Sequence, residues 1–294
     1  MPLKTGEKNL LLQFDSFNIA EVFLFTYILQ AVMIIHPHTI HTSKVYSRIV
    51  SLVPSQTELL YDLQLADEVI AITKFCVHPS TWFKNKTRIG GTKNVKIDLV
   101  KQINPDLIIA NKEENIQEQV EALAGTYDTL VTDVTDLKSA LQMIKDVGIL
   151  TGKTRDALAI ARTIENKFQQ LHEKFAGESK IKTAYLVWKD PYMAAGSGTF
   201  INDMMAYCGM ENVFFNRDRY PQITGKDLQG CELVLLSSEP YPFEEKHIRE
   251  IQAAIPAAKI MLVDGEMFSW YGSRLIQAAG YFEMLRNISY NSIP

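Results

Sequence analysis

The chain has 294 residues, 47% of them hydrophobic, and a formal charge of −4, which is enough apolar material for two ordinary domains with sizeable cores. Its basic residues are scattered rather than gathered into a run or stripe, so the electrostatic footprint that a nucleic-acid backbone requires is missing and no such partner is expected. Three cysteines, Cys76, Cys208 and Cys231, have no C-x-x-C spacing and signal neither a disulfide framework nor a zinc knuckle.

In chain order the first feature is VFLFTYILQAVMII at 22–35. It is shorter than the roughly 20 apolar residues that a membrane-spanning helix needs. As a signal peptide it has Lys4 and Lys8 upstream, but Asp15 and Glu21 precede the apolar run and no A-x-A-like site follows. Two readings stay open: a degenerate export signal, or a natural start at Met33 with 1–32 as an upstream extension. The first implies a periplasmic or membrane-associated exported protein, the second a cytoplasmic one as expressed. Residues 1–44 are taken as leader or extension, and His36, His38 and His41 within them as solvated.

From Arg48 the short runs RIVSLV, VIAIT, DLIIA and TLVTD have the composition of strands buried on both faces of an α/β sheet. Between the first two, SQTE at 55–58 predicts a helix start with Ser55 as cap and Glu58 reaching back to it. These elements define an N-terminal lobe over 45–152. KTRDALAIARTIENKFQQLHEKFA at 153–176 places Leu158, Ala161, Ile164, Phe168 and Leu171 near 3.6-residue spacing without Pro or Gly. The pattern predicts one helix about 35 Å long, a stiff bridge over 153–177. TAYLVW, LVLLSS and KIMLVD, with a helix ending at Gly209, predict a second α/β lobe over 178–294. The expected fold is therefore α/β: two lobes with mainly parallel sheets joined by one long helix.

Open α/β sheets bind ligands beyond the carboxyl ends of their strands, so the strand exits carry the candidate site. Trp82 follows VIAIT, Trp188 ends TAYLVW and Trp270 follows KIMLVDG. With Tyr192, Tyr220, Tyr241, Phe243 and Tyr271 in similar loops, they predict an aromatic-lined cleft for a large, flat ligand with polar handles. Glu266 and Arg274 flank the Trp270–Tyr271 pair.

RIVSLVPSQTELLYDLQLADEVIAIT, RIGGTKN, INPDLIIANKEEN and LVDGEMFSWYGSRL together resemble the substrate-binding proteins of ABC importers for cobalamin and ferric siderophores, the helical-backbone metal receptor group. The likeness runs over about 48–290 and implies a metal chelate, a corrinoid foremost, held between the lobes by a monomeric protein without catalytic activity. By position it brings to the site Ser55, then Phe75, His78 and Trp82 of the KFCVHPSTW loop, and Lys93 of GGTK. Glu113 of NKEEN follows, with Trp188 and Tyr192 in the far lobe and Trp270, Tyr271 and Arg274 in FSWYGSR. The resemblance also implies membrane subunits of an importer as partners. They would dock on an exposed acid of each lobe: Asp98 in the first, and in the second a position that falls on Lys226 or Asp227.

Other chemistries have weaker support. Cys76 and His78 can supply soft metal ligands, but no H-E-x-x-H or paired-His spacing completes a site, so neither a protein-held metal nor a resident cofactor is expected. GSGTFI at 196–201 has Ile201 where a dinucleotide fingerprint needs glycine. A ferric-siderophore or haem receptor of the same fold is the near alternative. From a different class, a chelatase-like tetrapyrrole enzyme would use His78 and Glu266 for metal delivery or proton removal.

Overall fold

The computed structural model describes residues 34–35 and 44–290. Most of the apolar run at 22–35, the start at Met33 and the three early histidines lie outside them. No helix of the described residues is long and apolar enough to cross a membrane.

The N-terminal lobe is built on strands β1 (Ile34–Ile35), β2 (Ile49–Ser51), β3 (Val69–Ile72) and β4 (Thr87–Arg88), a small hairpin β5 (Gly90–Gly91) and β6 (Asn94–Val95), and then β7 (Leu107–Asn111) and β8 (Thr129–Thr132). Six of them form one sheet in the order β1-β8-β7-β2-β3-β4, with every pair parallel. Ile49, Val50 and Leu107 to Ala110 are fully buried, as strands covered on both faces must be. Because Ile34–Ile35 pairs with Thr129 and Leu130, the sheet includes residues ahead of the boundary expected at 44.

Helices α1 (Pro54–Asp62), α2 (Ser80–Asn85), α3 (Ile97–Ile103), α4 (Gln117–Ala124) and α5 (Leu137–Leu150) connect and cover these strands. The bridge is α6 (Thr154–Phe175), 22 residues or about 33 Å. Its buried stripe is Ala157, Ala161, Ile164, Phe168 and Leu171; Ala157 takes the place expected of Leu158. The reason is the closeness of α5: a Cβ on Gly148 would lie 2.3 Å from the Ala157 methyl, so only small residues fit at that crossing.

The C-terminal lobe contains β9 (Ile181–Trp188), β10 (Met193–Ala194), β11 (Met210–Asn212), β12 (Leu233–Ser237) and β13 (Lys259–Val263). Their order is β10-β9-β12-β13 with β11 also on β9, and only the β9–β10 pair is antiparallel. Helices α7 (Phe200–Tyr207), α8 (Glu245–Ala254), α9 (Gly265–Ser269) and α10 (Leu275–Tyr290) complete it. Thr199 caps α7 by accepting from the Asn202 amide at 3.2 Å, and the helix stops just before Gly209, whose φ is +68°, where a left-handed residue ends a helix. One apolar cluster runs from the N-terminal sheet through α6 to Leu233, Leu235 and Phe282; a second, with Leu186, Val234 and Phe243, lies within the C-terminal lobe. The molecule is thus two α/β lobes with largely parallel sheets joined by one long helix.

Candidate functional site

The N-terminal sheet reverses its winding between β2 and β7, and a crevice opens at the carboxyl ends of strands where such a reversal occurs. Two segments leave the sheet there. After β2 the chain enters α1 with Val53 as N-cap and Pro54 in the first turn, where proline's fixed φ and missing N–H suit a helix start. Ser55 therefore sits inside the first turn and the expected Ser55–Glu58 capping box does not form. Glu58 turns instead to Arg274 of the other lobe, accepting from Nε at 2.8 Å and from Nη2 at 2.6 Å.

After β7, the Asn111 side-chain oxygen accepts from the Glu113 and Glu114 amides at 2.8 and 3.2 Å. Asn115 closes the loop, its Oδ1 accepting from the Asn111 amide at 2.9 Å and its Nδ2 donating to the Thr92 carbonyl at 3.1 Å. This clamp gives the two adjacent acids a fixed presentation.

On the facing lobe, the segment expected as a loop after β13 begins as the helical turn α9, capped by the Asp264 carboxylate on the Glu266 amide at 3.1 Å. Glu266 accepts from Arg274 Nη1 at 2.7 Å and meets His78 Nε2 at 3.2 Å. The Trp270 indole donates to Glu239 at 3.0 Å, lies 4.7 Å from the Arg274 guanidinium and has the His78 ring edge-on at 5.5 Å. Trp270 and Tyr271 are only 7% and 4% exposed. Two large aromatics on a strand exit are therefore kept from water, Trp270 with His78 of the opposite lobe against it and Tyr271 edge-on to Phe200 of their own lobe at 5.7 Å. Next to them Gly272 has φ +150°, and a Cβ there would lie 3.0 Å from the Ser55 carbonyl oxygen, so a side chain would wedge the two backbones apart.

A second bridge crosses further along. Arg219 donates to Glu113 at 2.7 Å and to the Gly198 carbonyl at 2.7 Å, while Lys93 donates to the Glu113 carbonyl at 2.6 Å. Burial and the neighbouring Glu113 carboxylate push the Tyr220 hydroxyl pKa up. Loss of hydration raises Glu114 to about 7, with Glu239 and Glu113 adding to the rise and Lys93 opposing it. Glu239 is also pushed up, by burial first, against the hydrogen bonds from Ser269 and Trp270.

The structure thus brings together Ser55, His78, Glu266, Trp270, Tyr271 and Arg274, and beside them Lys93, Glu113 and Tyr220. Other candidates lie apart. Trp82 is 5% exposed because α2 turns its ring onto Tyr61 at 5.4 Å and beneath Lys86. Trp188, 41% exposed, meets Tyr241 edge-on at 5.7 Å, and Tyr241 reaches His247 at 3.3 Å. Tyr192 packs against the second core cluster. Phe75 is exposed at the N-lobe surface near Gly91. Cys76 is buried between the Thr57 and Thr73 hydroxyls, apart from His78's partners, and among the described residues no group of three His, Cys, Asp or Glu can hold a metal. Asp98 is exposed in the first turn of α3. Asp227 accepts from the Thr224 amide and hydroxyl and from Arg217, which holds its carboxyl below the ordinary range.

Three residues of the cleft escaped the sequence reading as site residues. Glu58 was assigned to a cap and Arg219 belongs to no motif. Glu239 follows β12 just as Glu266 follows β13, so applying the strand-exit rule to every strand would have found it.

Residues 49–227 match the family model described as periplasmic binding protein. The chain belongs to that family. The vitamin B12-binding protein of Vibrio campbellii is 24% identical over 179 residues, covering 60% of this chain and 65% of that protein, just under two thirds of its length. The uncharacterized ABC transporter substrate-binding lipoprotein YvrC of Bacillus subtilis is 27% identical over 243 residues, 78% of this chain and 76% of that one. Among solved structures, the periplasmic vitamin B12 binding protein BtuF of Vibrio cholerae superposes with a TM-score of 0.72 at 17% identity over 88% of this chain and all (100%) of its own. The periplasmic haem-binding protein RhuT from Roseiflexus sp. RS-1 gives 0.72 at 18% identity over 85% and 100%. At these identities the structural likeness establishes the fold.

Proposed function

We propose that this chain is the solute-binding protein of an ABC importer and captures a metal chelate, a corrinoid foremost, in the cleft between its lobes. The observation that carries this reading is the junction itself, where aromatic faces and charged groups from both lobes converge at strand carboxyl ends: Ser55, His78 and Glu113 from one, Tyr220, Trp270, Tyr271 and Arg274 from the other. Such a mixed surface suits a large flat ligand with polar edges, and the names of the relatives from Vibrio agree with it. An iron porphyrin is the second reading, favoured by the half-exposed imidazole of His78 at the same junction. The enzyme alternative is disfavoured because the Glu266 carboxylate is already paired with Arg274 and is poorly placed to take a proton.

For transport, the exposed Asp98 is the acid proposed to meet the membrane subunits. Asp227 would first have to release Thr224 and Arg217.

Absorbance and fluorescence titration with cyanocobalamin, haemin and a ferric siderophore tests the reading. A corrinoid should bind saturably at 1:1 and quench the part of the tryptophan emission that Trp270→Phe removes. Trp270→Ala should weaken binding by about 1–3 kcal/mol, roughly 5- to 150-fold. Because the ring is buried and hydrogen-bonded, that variant should also lose thermal stability, contrary to what a solvent-facing loop position would give. Absence of binding by all three chelates refutes the proposal.

A further inference from the structure

Glu58 and Glu113 each have an arginine across the junction, and Glu266 has Arg274 of its own lobe. Two neighbouring carboxylates have none. Glu114, on the loop after β7, is anchored through its backbone by Asn111, but its carboxylate makes no hydrogen bond or ion pair among the described residues. Lys93 eases its charge, yet that ammonium is bonded to the Glu113 carbonyl. Glu239, from the loop after β12 in the other lobe, is met by two neutral donors, the Ser269 hydroxyl and the Trp270 indole. A third observation points the same way. The Tyr271 side chain is 4% exposed and its hydroxyl has no partner in hydrogen-bonding geometry; the Glu114 and Glu113 charges reach it, and Ser55 beside it gives only partial relief.

A desolvated carboxylate without a cation and a buried hydroxyl without a partner each cost free energy. Among the described residues the fold gives Glu239 only neutral donors and gives the Glu114 carboxylate and the Tyr271 hydroxyl no partner in hydrogen-bonding geometry, so the missing complement must come from outside. We propose that Glu114 and Glu239, one from each lobe, receive hydrogen-bond donors or positive charge on the ligand, so that the cleft selects chelates with an amide-bearing or cationic periphery and rejects those bearing carboxylates. Amide and ammine N–H groups would form charge-assisted bonds here, whereas a ligand carboxylate would bring a further anion into a water-poor site. The inference rests on the chelate-receptor reading and adds to it the polarity of the cargo.

The test is calorimetry on the full chain at pH 8 with two pairs of probes. One pair is cyanocobalamin and the same corrinoid with peripheral amides hydrolysed to carboxylic acids. The other is hexaamminecobalt(III) and hexacyanocobaltate(III), inert complexes of opposite charge that need no corrin recognition. The amide form should bind at least about tenfold tighter than the acid form, and the ammine complex should bind saturably where the cyanide complex does not. Glu114→Gln and Glu239→Gln should each bring the amide preference below roughly threefold and weaken the ammine complex about fivefold or more. Glu118→Gln, an exposed acid on α4, should change neither. If the ammine result holds while no corrinoid binds, the corrinoid reading fails and the polarity inference stands. Equal binding of both corrinoid forms, or ammine affinity indifferent to Glu114→Gln and Glu239→Gln in variants that melt normally, overturns the inference.

Discussion

The two lobes meet twice, and the two joints are made of different material. Along the bridge, α6 buries an apolar stripe in which Phe168 stands edge-on to Tyr207 at 5.0 Å and to Phe282 at 6.1 Å. Across the cleft, the lobes are tied chiefly by the Arg274–Glu58 and Arg219–Glu113 pairs and by His78 on Glu266. Apolar burial has no substitute in water, whereas charged groups can exchange one polar partner for another at small net cost. The comparison teaches that the bridge is the permanent joint and the cleft the separable one, which is the division a two-lobed receptor needs to admit a ligand without coming apart.

The largest effect should come from the permanent joint. Phe168→Ala removes a fully buried ring and should cost about 3–5 kcal/mol in equilibrium denaturation. A loss below about 1 kcal/mol would break the comparison, because the stripe would then be dispensable. Next in size is Arg274→Ala, which leaves Glu58 and Glu266 facing each other without their shared cation. All three side chains are largely shielded, so we expect a loss of about 3 kcal/mol at neutral pH, near the lower end for breaking a buried pair. Arg274→Lys should restore only part of it, since an ammonium cannot fork onto two carboxylates; full rescue by lysine would show that geometry at the latch is unimportant.

Much of this division could be read in the sequence, because local periodicity writes it. The spacing of Ala161, Ile164, Phe168 and Leu171 announced the bridge, and the apolar runs announced the strands. The fold class and the family followed from those runs in order. The cleft was legible only where a residue sits beside a strand end, as Trp270, Tyr271 and Glu266 do. Its pairings were not, since Glu58 and Arg274 are 216 positions apart and local chemistry offered Glu58 a plausible cap that Pro54 made unnecessary. Trp82 and Trp188 show the converse error: the same strand-exit logic placed them in the cleft, but it cannot tell which way a following helix or strand end turns the ring.

Acidity sharpens the contrast, because the bridge has no counterpart to the strained acid at Glu114. The folded protein holds this carboxyl at about 7 against an ordinary value of 4.5. Below 4.5 both folded and unfolded chains keep the proton and there is no penalty. As pH rises through the interval to about 7, only the unfolded chain releases it, so stability falls across that window and then levels off. The difference of 7 minus 4.5 corresponds to an order-of-magnitude loss of about 3 kcal/mol. Glu114→Gln should abolish most of that decline in urea denaturation between pH 5 and 8, in the same direction as the smaller relief expected from Glu239→Gln. An unchanged pH profile in Glu114→Gln would mean that the acid is hydrated after all.

The smallest effect should come from the outer bridge. Arg219 and Glu113 are joined at 2.7 Å, but their side chains remain 42% and 27% exposed, so water and salt compete for both charges. Arg219→Ala alone is an imperfect probe, since it also removes the bond to the Gly198 carbonyl. A double-mutant cycle with Glu113→Gln isolates the pair, and its coupling should be about 0.2–1 kcal/mol in dilute buffer and near zero at roughly 1 M salt, where the screening length is about 3 Å. The corresponding cycle of Arg274→Ala with Glu58→Gln should keep most of its coupling at that salt concentration, because the protein excludes the screening ions. Should the two cycles respond to salt alike, the inner latch would be as wet as the outer bridge, contrary to the low exposure of Trp270 and Tyr271 beside it.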